Sequence, residues 1–345
     1  MAKIPQDIFS EYKKQAAPDI AQKAQNWGIA IGLQQVDGLT PSKYLIETAR
    51  ENIEGKIDIK EVYKRLDRYY KTPEGKALGK DINEADRVST HISEILADVS
   101  FTFAPMTLMA IHDKLFYDVY PDLAGKIRKY NITKDEEVLN GDSVRYGEFV
   151  TIMNTLQYDF DNEKKFNYSG LSLRAKVEHI AKFISSIWQT HPFGEGNTRT
   201  IAVFAIKYLR AMGFNDANND LFEANSKYFR SALARANYQD IKNDIPYSPE
   251  YLNRFFGNLL LGENNALDNN DMIVDIKKII KNIPTKTKDK ILAMIRNKPT
   301  SSATEIGAIL DLSPDTIRDH LNRMKTKGII RRIGPDKGGH WEILI

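Results

Sequence analysis

Two apolar helical stretches separated by a short polar turn constrain this chain more than any other feature. From Leu173 the apolar side chains fall at Leu173, Val177, Ile180, Ala181, Ile184, Ile187 and Trp188. That spacing is one face of a long helix, and Ser172 stands where its N-cap belongs. Ile201 to Leu209 is apolar nearly all round, which predicts a helix buried in the middle of a domain. Gly213 follows where such a helix would stop. Between the two lies His191-Pro-Phe-Gly-Glu-Gly-Asn-Thr-Arg199. A helix–helix turn accounts for the glycines and the proline, but not for His, Glu, Asn and Arg crowding into it.

Composition sets the frame. A chain of 345 residues with 42% apolar and 28% charged residues has room for two or three domains with real cores, and is neither disordered, collagen-like nor a coiled coil. Cysteine is absent, which excludes disulfide scaffolds, Cys-ligated zinc, iron–sulfur clusters and thiol catalysis, and fits a reducing compartment. The N-terminus has scattered charges and no apolar core of signal-peptide length. The greasiest stretch, Ile95 to Ile111, carries Asp98, Ser100, Thr102 and Pro105, so no membrane span is expected and the cytoplasm is the plain reading.

The fold expected is mainly α, with two β features. Glu136 to Tyr146 has Asn140-Gly141 between two short alternating runs, which predicts a tight β-hairpin because both residues accept positive φ. An Asn/Gly/Asp-rich patch at 261–270 marks a boundary. Beyond it the charge changes: residues 271–345 hold 15 Lys+Arg against 9 Asp+Glu, whereas the whole chain is only +3. This segment reads as three helices, the third capped by Ser313 with Pro314 at its first position, and then a two-stranded wing. It resembles a winged helix-turn-helix. The expected division is an N-terminal helical segment over 1–85, a core over 86–262 and a winged helix over 263–345.

The polar turn has the parts of a phosphoryl- or nucleotidyl-transfer site. A helix beginning near Asn197 presents unpaired N–H groups and a positive dipole end. Gly194 and Gly196 allow a phosphate close to the backbone. Arg199 offers fork geometry to phosphate, Glu195 is a hard oxygen ligand for Mg²⁺, and His191 can take a proton from an attacking hydroxyl.

The string HPFGEGNTRT resembles the signature of Fic-domain proteins, His-x-Phe-x-(Asp/Glu)-Gly-Asn-Gly-Arg-x-x-Arg. The resemblance extends over roughly residues 90 to 245, through Ile111–Phe116, Asp122–Arg128 and Phe222–Leu233. It implies a Fic-type helical core with a β-hairpin flap (Val138, Leu139, Asn140, Gly141), ATP and Mg²⁺, and transfer of AMP to a Ser, Thr or Tyr hydroxyl of a target protein. His191 would be the general base, Glu195 would hold Mg²⁺, Gly194, Gly196, Asn197 and Thr198 would cradle phosphate, and Arg199 would hold a β-phosphate. Tyr228 is a candidate neighbour of adenine, although aromatics in its stretch more often serve packing. Two positions depart from the pattern: Thr198 stands for the second Gly, and Ala202 for the second Arg, so either ATP is gripped differently or another arginine such as Arg230 or Arg235 substitutes. Ala202 keeps two alternatives open, a phosphotransferase and a nucleotide-sensing regulator. Glu54-Gly55 fits the end of the family's inhibitory motif, as does Glu51-Asn52, and Glu54 is the expected restraint. The winged helix is expected to bind DNA through its third helix with Arg331, Arg332 and Lys337 on the wing, or else to dock a protein; a homodimer is left open.

Overall fold

Helices carry most of the chain in the computed structural model, which describes residues 8–14, 17–214, 220–274, 287–335 and 338–344. In chain order they are α1 (Ser10–Lys13), α2 (Pro18–Gly32), α3 (Lys43–Ile53), α4 (Ile59–Tyr69), α5 (Pro73–Ala77), α6 (Lys80–Ala97), α7 (Pro105–Phe116), α8 (Ile152–Lys165), α9 (Leu173–Thr190), α10 (Asn197–Ala211), α11 (Asp220–Ala236), α12 (Glu250–Leu261), α13 (Thr287–Asn297), α14 (Ala303–Leu310) and α15 (Pro314–Thr326), followed by β1 (Ile330–Ile333) and β2 (His340–Ile343). The chain divides into two units, Met1–Val138 with Ser143–Gln239 and Tyr247–Met272 in the larger, and Leu139–Asp142 with Asp240–Pro246 and Ile273–Ile345 in the smaller.

The larger unit is built around α10. Every residue from Asn197 to Leu209 is buried, as a stretch apolar on all sides demands. Phe204 sits 5.5–6.4 Å from the rings of Phe101, Phe103, Phe160 and Phe183, and each such burial is worth roughly 1.5–3 kcal/mol. Helix α9 opens as its sequence predicts, with the Ser172 hydroxyl accepting from Ala175 N–H at 3.1 Å. Trp27, Leu45, Ile53, Val62 and Leu66 form a second apolar cluster under α2, α3 and α4. Gly32, at the end of α2, lets α11 approach: a Cβ there would lie 2.4 Å from the Glu223 backbone. Ser226 locks this crossing by donating to Gly32 O at 2.7 Å. The chain then makes a 3₁₀ turn, Leu33–Asp37, stopped by Gly38 at φ +71. No helix of the described residues is long and apolar enough to cross a membrane.

The smaller unit contains a three-helix core closed by Ile291, Leu292, Ile295, Ile306, Ile317, Leu321, Met324 and Ile330. Ser302 and Glu305 form a reciprocal capping box on α14. Ser313 caps α15 from 3.1 Å, with Pro314 in its first turn. Strands β1 and β2 pair antiparallel with Ile330 opposite Ile343, and Trp341 N–H donates to Pro299 O at 2.8 Å, which ties the wing to the end of α13.

The hairpin expected at 136–146 is corrected. Asn140 and Gly141 do adopt positive φ, +55 and +85, but the residues before them form a 3₁₀ turn, Glu137–Leu139, and no ladder flanks the turn. Val138 and Leu139 are both buried; neighbours buried together suit a helical turn, because a strand sends successive side chains to opposite faces.

Candidate active site

Helix α9 ends by reversing. His191 lies at φ +49, a left-handed conformation that is strained for a residue with a Cβ. Arg128 holds it there. Its Nε donates to His191 O at 2.7 Å, its other nitrogens reach the carbonyls of Tyr130 (2.6 Å), Thr190 (3.2 Å) and Gly147, and its own N–H donates to Pro192 O at 2.9 Å.

The imidazole is 3% exposed, 4.1 Å from the Tyr146 ring and edge-on to Trp188 at 5.3 Å. Its Nδ1 lies 3.2 Å from Trp188 O. A carbonyl can only accept, so Nδ1 carries the proton and the lone pair is on Nε2. No described residue hydrogen-bonds Nε2. Burial, then the charges of Lys134, Arg230 and Arg128, hold the His191 pKa well below 6.5 against the Trp188 bond. At neutral pH the ring is a proton acceptor.

The rest of the turn is clamped. Phe193 is fully buried and stacks on His112, rings 3.8 Å apart and 14° from parallel. Asn197 accepts from Phe193 N–H at 2.9 Å and donates to Phe193 O at 2.8 Å. Its side chain therefore braces the loop and is not directed at a ligand. His112 Nδ1 accepts from Gly125 N–H at 3.0 Å, so its Nε2–H donates to Glu195 O at 3.0 Å. Burial lowers the His112 pKa to about 4, which keeps this neutral tautomer in place. Gly196 is needed on two grounds, a φ of +71 and a Cβ that would lie 2.3 Å from the Phe116 ring. At Gly194 a Cβ would press on the Tyr130 hydroxyl at 3.0 Å. Gly196 caps α10 without any side-chain bond, so the N–H groups of Asn197, Thr198 and Arg199 lack intrahelical acceptors. Thr198 departs from the signature for a local reason: its hydroxyl accepts from Trp188 Nε1 at 2.9 Å, inside the fold.

The charges are distributed unevenly. Glu195 has a half-exposed carboxylate whose Oε2 meets Lys134 Nζ at 3.0 Å. Arg199 is 3% exposed, with Nε 2.9 Å from Asp37 Oδ2, one terminal nitrogen donating to Glu84 Oε1 at 2.7 Å and the other to Gln34 Oε1 at 3.1 Å, the guanidinium lying over the Phe116 ring. Arg230 grips Glu136 through two nitrogens at 3.2 Å and shares Asp37 at 3.0 Å. Tyr146, which packs on His191, donates to Glu136 Oε1 at 3.1 Å. A polar chain thus runs from Tyr146, whose ring lies against the imidazole, through Glu136, Arg230 and Asp37 to Arg199. Arg235 lies apart, donating to Ser248 Oγ at 2.9 Å.

Glu54 and Tyr228 each have partners of their own. Glu54 ends α3, accepts from Tyr12 at 2.6 Å and pairs with Lys56 at 2.5 Å; the carboxylates on the signature arginine are Asp37 and Glu84. Tyr228 is 2% exposed and donates to Tyr251 O at 3.1 Å, so it packs in the core. Sequence reasoning also passed over Arg128 and His112. Both lie in segments that carry the resemblance, but nothing in their spacing ties them to a turn more than 60 residues away. Lys337 lies outside the described residues.

A cavity of about 420 Å³ opens along the last turns of α9, lined by Ser185, Ser186 and Gln189, with Asn237 and Tyr247 opposite. Among the described residues no three His, Asp or Glu side chains gather as a metal site. Glu195 offers a single reachable carboxylate, which suits a Mg²⁺ that arrives on a nucleotide, because this ion is commonly held by one or two carboxylates plus substrate phosphates.

Residues 102–209 match the model of the Fic/DOC family, and residues 285–331 that of the winged helix-turn-helix DNA-binding family. A solved structure described as a Fic family protein from Desulfovibrio desulfuricans G20 aligns over 97% of this chain and 92% of its own, at a TM-score of 0.43 and 16% identity. No curated protein matches. The chain thus carries a Fic/DOC-family domain over residues 102–209 and a winged helix-turn-helix over residues 285–331.

Proposed function

We propose that this protein transfers AMP from Mg-ATP to a hydroxyl side chain of a target protein. One observation carries the reading: a neutral imidazole with a free Nε2 lone pair stands one short turn from an uncapped helix N-terminus. The first accepts a proton and the second favours phosphate oxygens. The nucleotide's phosphates would rest on the N–H groups of Gly196 to Arg199. Glu195 would hold Mg²⁺, which lowers the charge on the leaving diphosphate. The cavity beside α9 has the size of a small-molecule site and would take the nucleoside.

In the reaction the target oxygen attacks the α-phosphorus. The bond from that phosphorus to the oxygen leading to the β-phosphate breaks, His191 Nε2 takes the hydroxyl proton, and pyrophosphate leaves. Arg199 supports the N-terminus of α10 through Asp37 and Glu84 rather than meeting the β-phosphate directly.

ATP labelled at one position or the other tests the reading. Label from the α-position appearing on protein, and lost in His191→Ala, is the expected result. Label from the γ-position would mean phosphotransfer, and no label on any protein supplied would leave the nucleotide-sensing reading.

The smaller unit supports a second activity, DNA binding. On α15, Arg323 and Lys325 are exposed and have no ion-pair partner among the described residues. Such cations suit DNA phosphates. Arg318 is already paired with Asp315 and Arg331 with Glu342, and Arg332 lies over the Trp341 ring. Fluorescence anisotropy with duplex DNA at low salt would detect this binding; its absence would favour a protein-docking role.

A further inference from the structure

We infer that Lys134 is the cation that grips the nucleotide's phosphate chain, in place of the arginine replaced by Ala202. The inference rests on the nucleotide reading above and assigns its missing charge.

The other candidates are accounted for. Ala202 is fully buried in the middle of α10 and brings no charge of its own. Arg199 is enclosed by Asp37, Glu84, Gln34 and the Phe116 ring. The cations that weigh most on His191 are Lys134, Arg230 and Arg128. Arg128 is committed to four backbone carbonyls. Arg230 is bound to both oxygens of Glu136, to Asp37 and to Val36 O.

Lys134 is different. Its backbone is anchored, with N–H donating to Ser143 Oγ at 3.0 Å, while among the described residues its ammonium has one partner, Glu195 Oε2 at 3.0 Å. The two side chains are 25% and 56% exposed. An exposed pair of this kind contributes little to folding, so stability does not explain it. It brings a lysine charge to the carboxylate suited to Mg²⁺ and within electrostatic reach of the base. A phosphate oxygen in the space between them would displace the carboxylate from the ammonium and form a stronger, less solvated contact.

Calorimetric titration of wild type, Lys134→Ala and Lys134→Arg with adenosine, and with Mg²⁺ plus ATP carrying a methylene bridge between the α- and β-phosphates, tests the assignment. Lys134→Ala should weaken the triphosphate roughly tenfold or more, leave adenosine unchanged and regain most of the loss as Lys134→Arg. Because the ammonium's ion pair is with the exposed Glu195 and such a pair adds little to folding, thermal melts of both variants should match wild type. Equal triphosphate affinity in Lys134→Ala and wild type would overturn the role of Lys134 while leaving nucleotide binding intact. Equal losses for adenosine and triphosphate would also overturn it, as a merely structural effect. Wild type binding neither compound would instead defeat the nucleotide reading on which the inference rests.

Discussion

The turn from His191 to Arg199 and the helix from Pro314 to Thr326 are both polar segments beside a helix N-terminus, and they treat charge in opposite ways. In the turn His191, Asn197 and Arg199 are each 3% exposed or less, and nearly every polar group has a named partner. On α15 the cations Arg318, Arg323 and Lys325 face solvent, and the capping Ser313 needs only a local bond to Thr316. The first arrangement fixes a few atoms for chemistry, since catalytic groups must not reorganise as charge develops. The second offers charge without fixing it, which suits contact with a phosphate backbone. Perturbing the turn should therefore cost stability or rate, while perturbing α15 should cost neither.

The largest effect tests the turn. His191→Ala should lower transfer by about 10²–10⁴ with little change in melting temperature. With the pKa of His191 held well below 6.5, the base is free at neutral pH. Transfer should persist as pH falls to 6.5 and decline only at lower values; a pH–rate profile checks this.

Arg199→Ala comes next. It leaves Asp37 and Glu84 facing a buried gap, which should destabilise the larger unit by about 3 kcal/mol. Arg323→Ala should change stability by less than about 0.5 kcal/mol. Denaturant melts of the two variants would break the comparison if the losses were equal.

Salt sharpens it from the other side. If α15 meets DNA, replacing Arg323 and Lys325 together should reduce the salt slope of affinity by about 2, with no change in AMP transfer.

A smaller effect concerns His112. Its pKa is about 4 in the fold and near 6.5 in the unfolded chain. Between those values the unfolded chain binds the extra proton, so stability falls as pH drops from 6.5 towards 4. Asp86 and Asp159, raised to about 6 by burial, act in the opposite sense, so wild type must be compared with His112→Gln. The variant should show the shallower acid loss in thermal melts. Ser302→Ala, which removes a capping box, should cost about 1 kcal/mol without touching transfer.

Much of the fold is legible along the chain because its signals are local. Periodicity gives α9 and α10, the Ser172 and Ser313 caps are read from adjacent residues, and the wing follows from its glycines. The turn at Asn140-Gly141 is local too. Its flanks are not, because the burial of both Val138 and Leu139 depends on distant packing. The site divides in the same way. His191, Glu195 and Gly196 are evident in one short string. The partners that set its electrostatics, Arg128, His112, Asp37 and Glu84, come from helices and turns whose approach is decided by contacts such as Gly32 against Glu223. An aromatic on a helix does not announce which side it faces, so the burial of Tyr228 is not legible, and a motif ending does not reveal that Tyr12 and Lys56 hold Glu54.

Intact-mass spectrometry after incubation with Mg-ATP, alone and with a lysate depleted of nucleotide, tests the account most directly. A protein that gains the mass of one adenylyl group in the presence of wild type, and not of His191→Ala, is the predicted result. A gain equal to a phosphoryl group, or an adenylyl gain that survives the loss of His191, would contradict it.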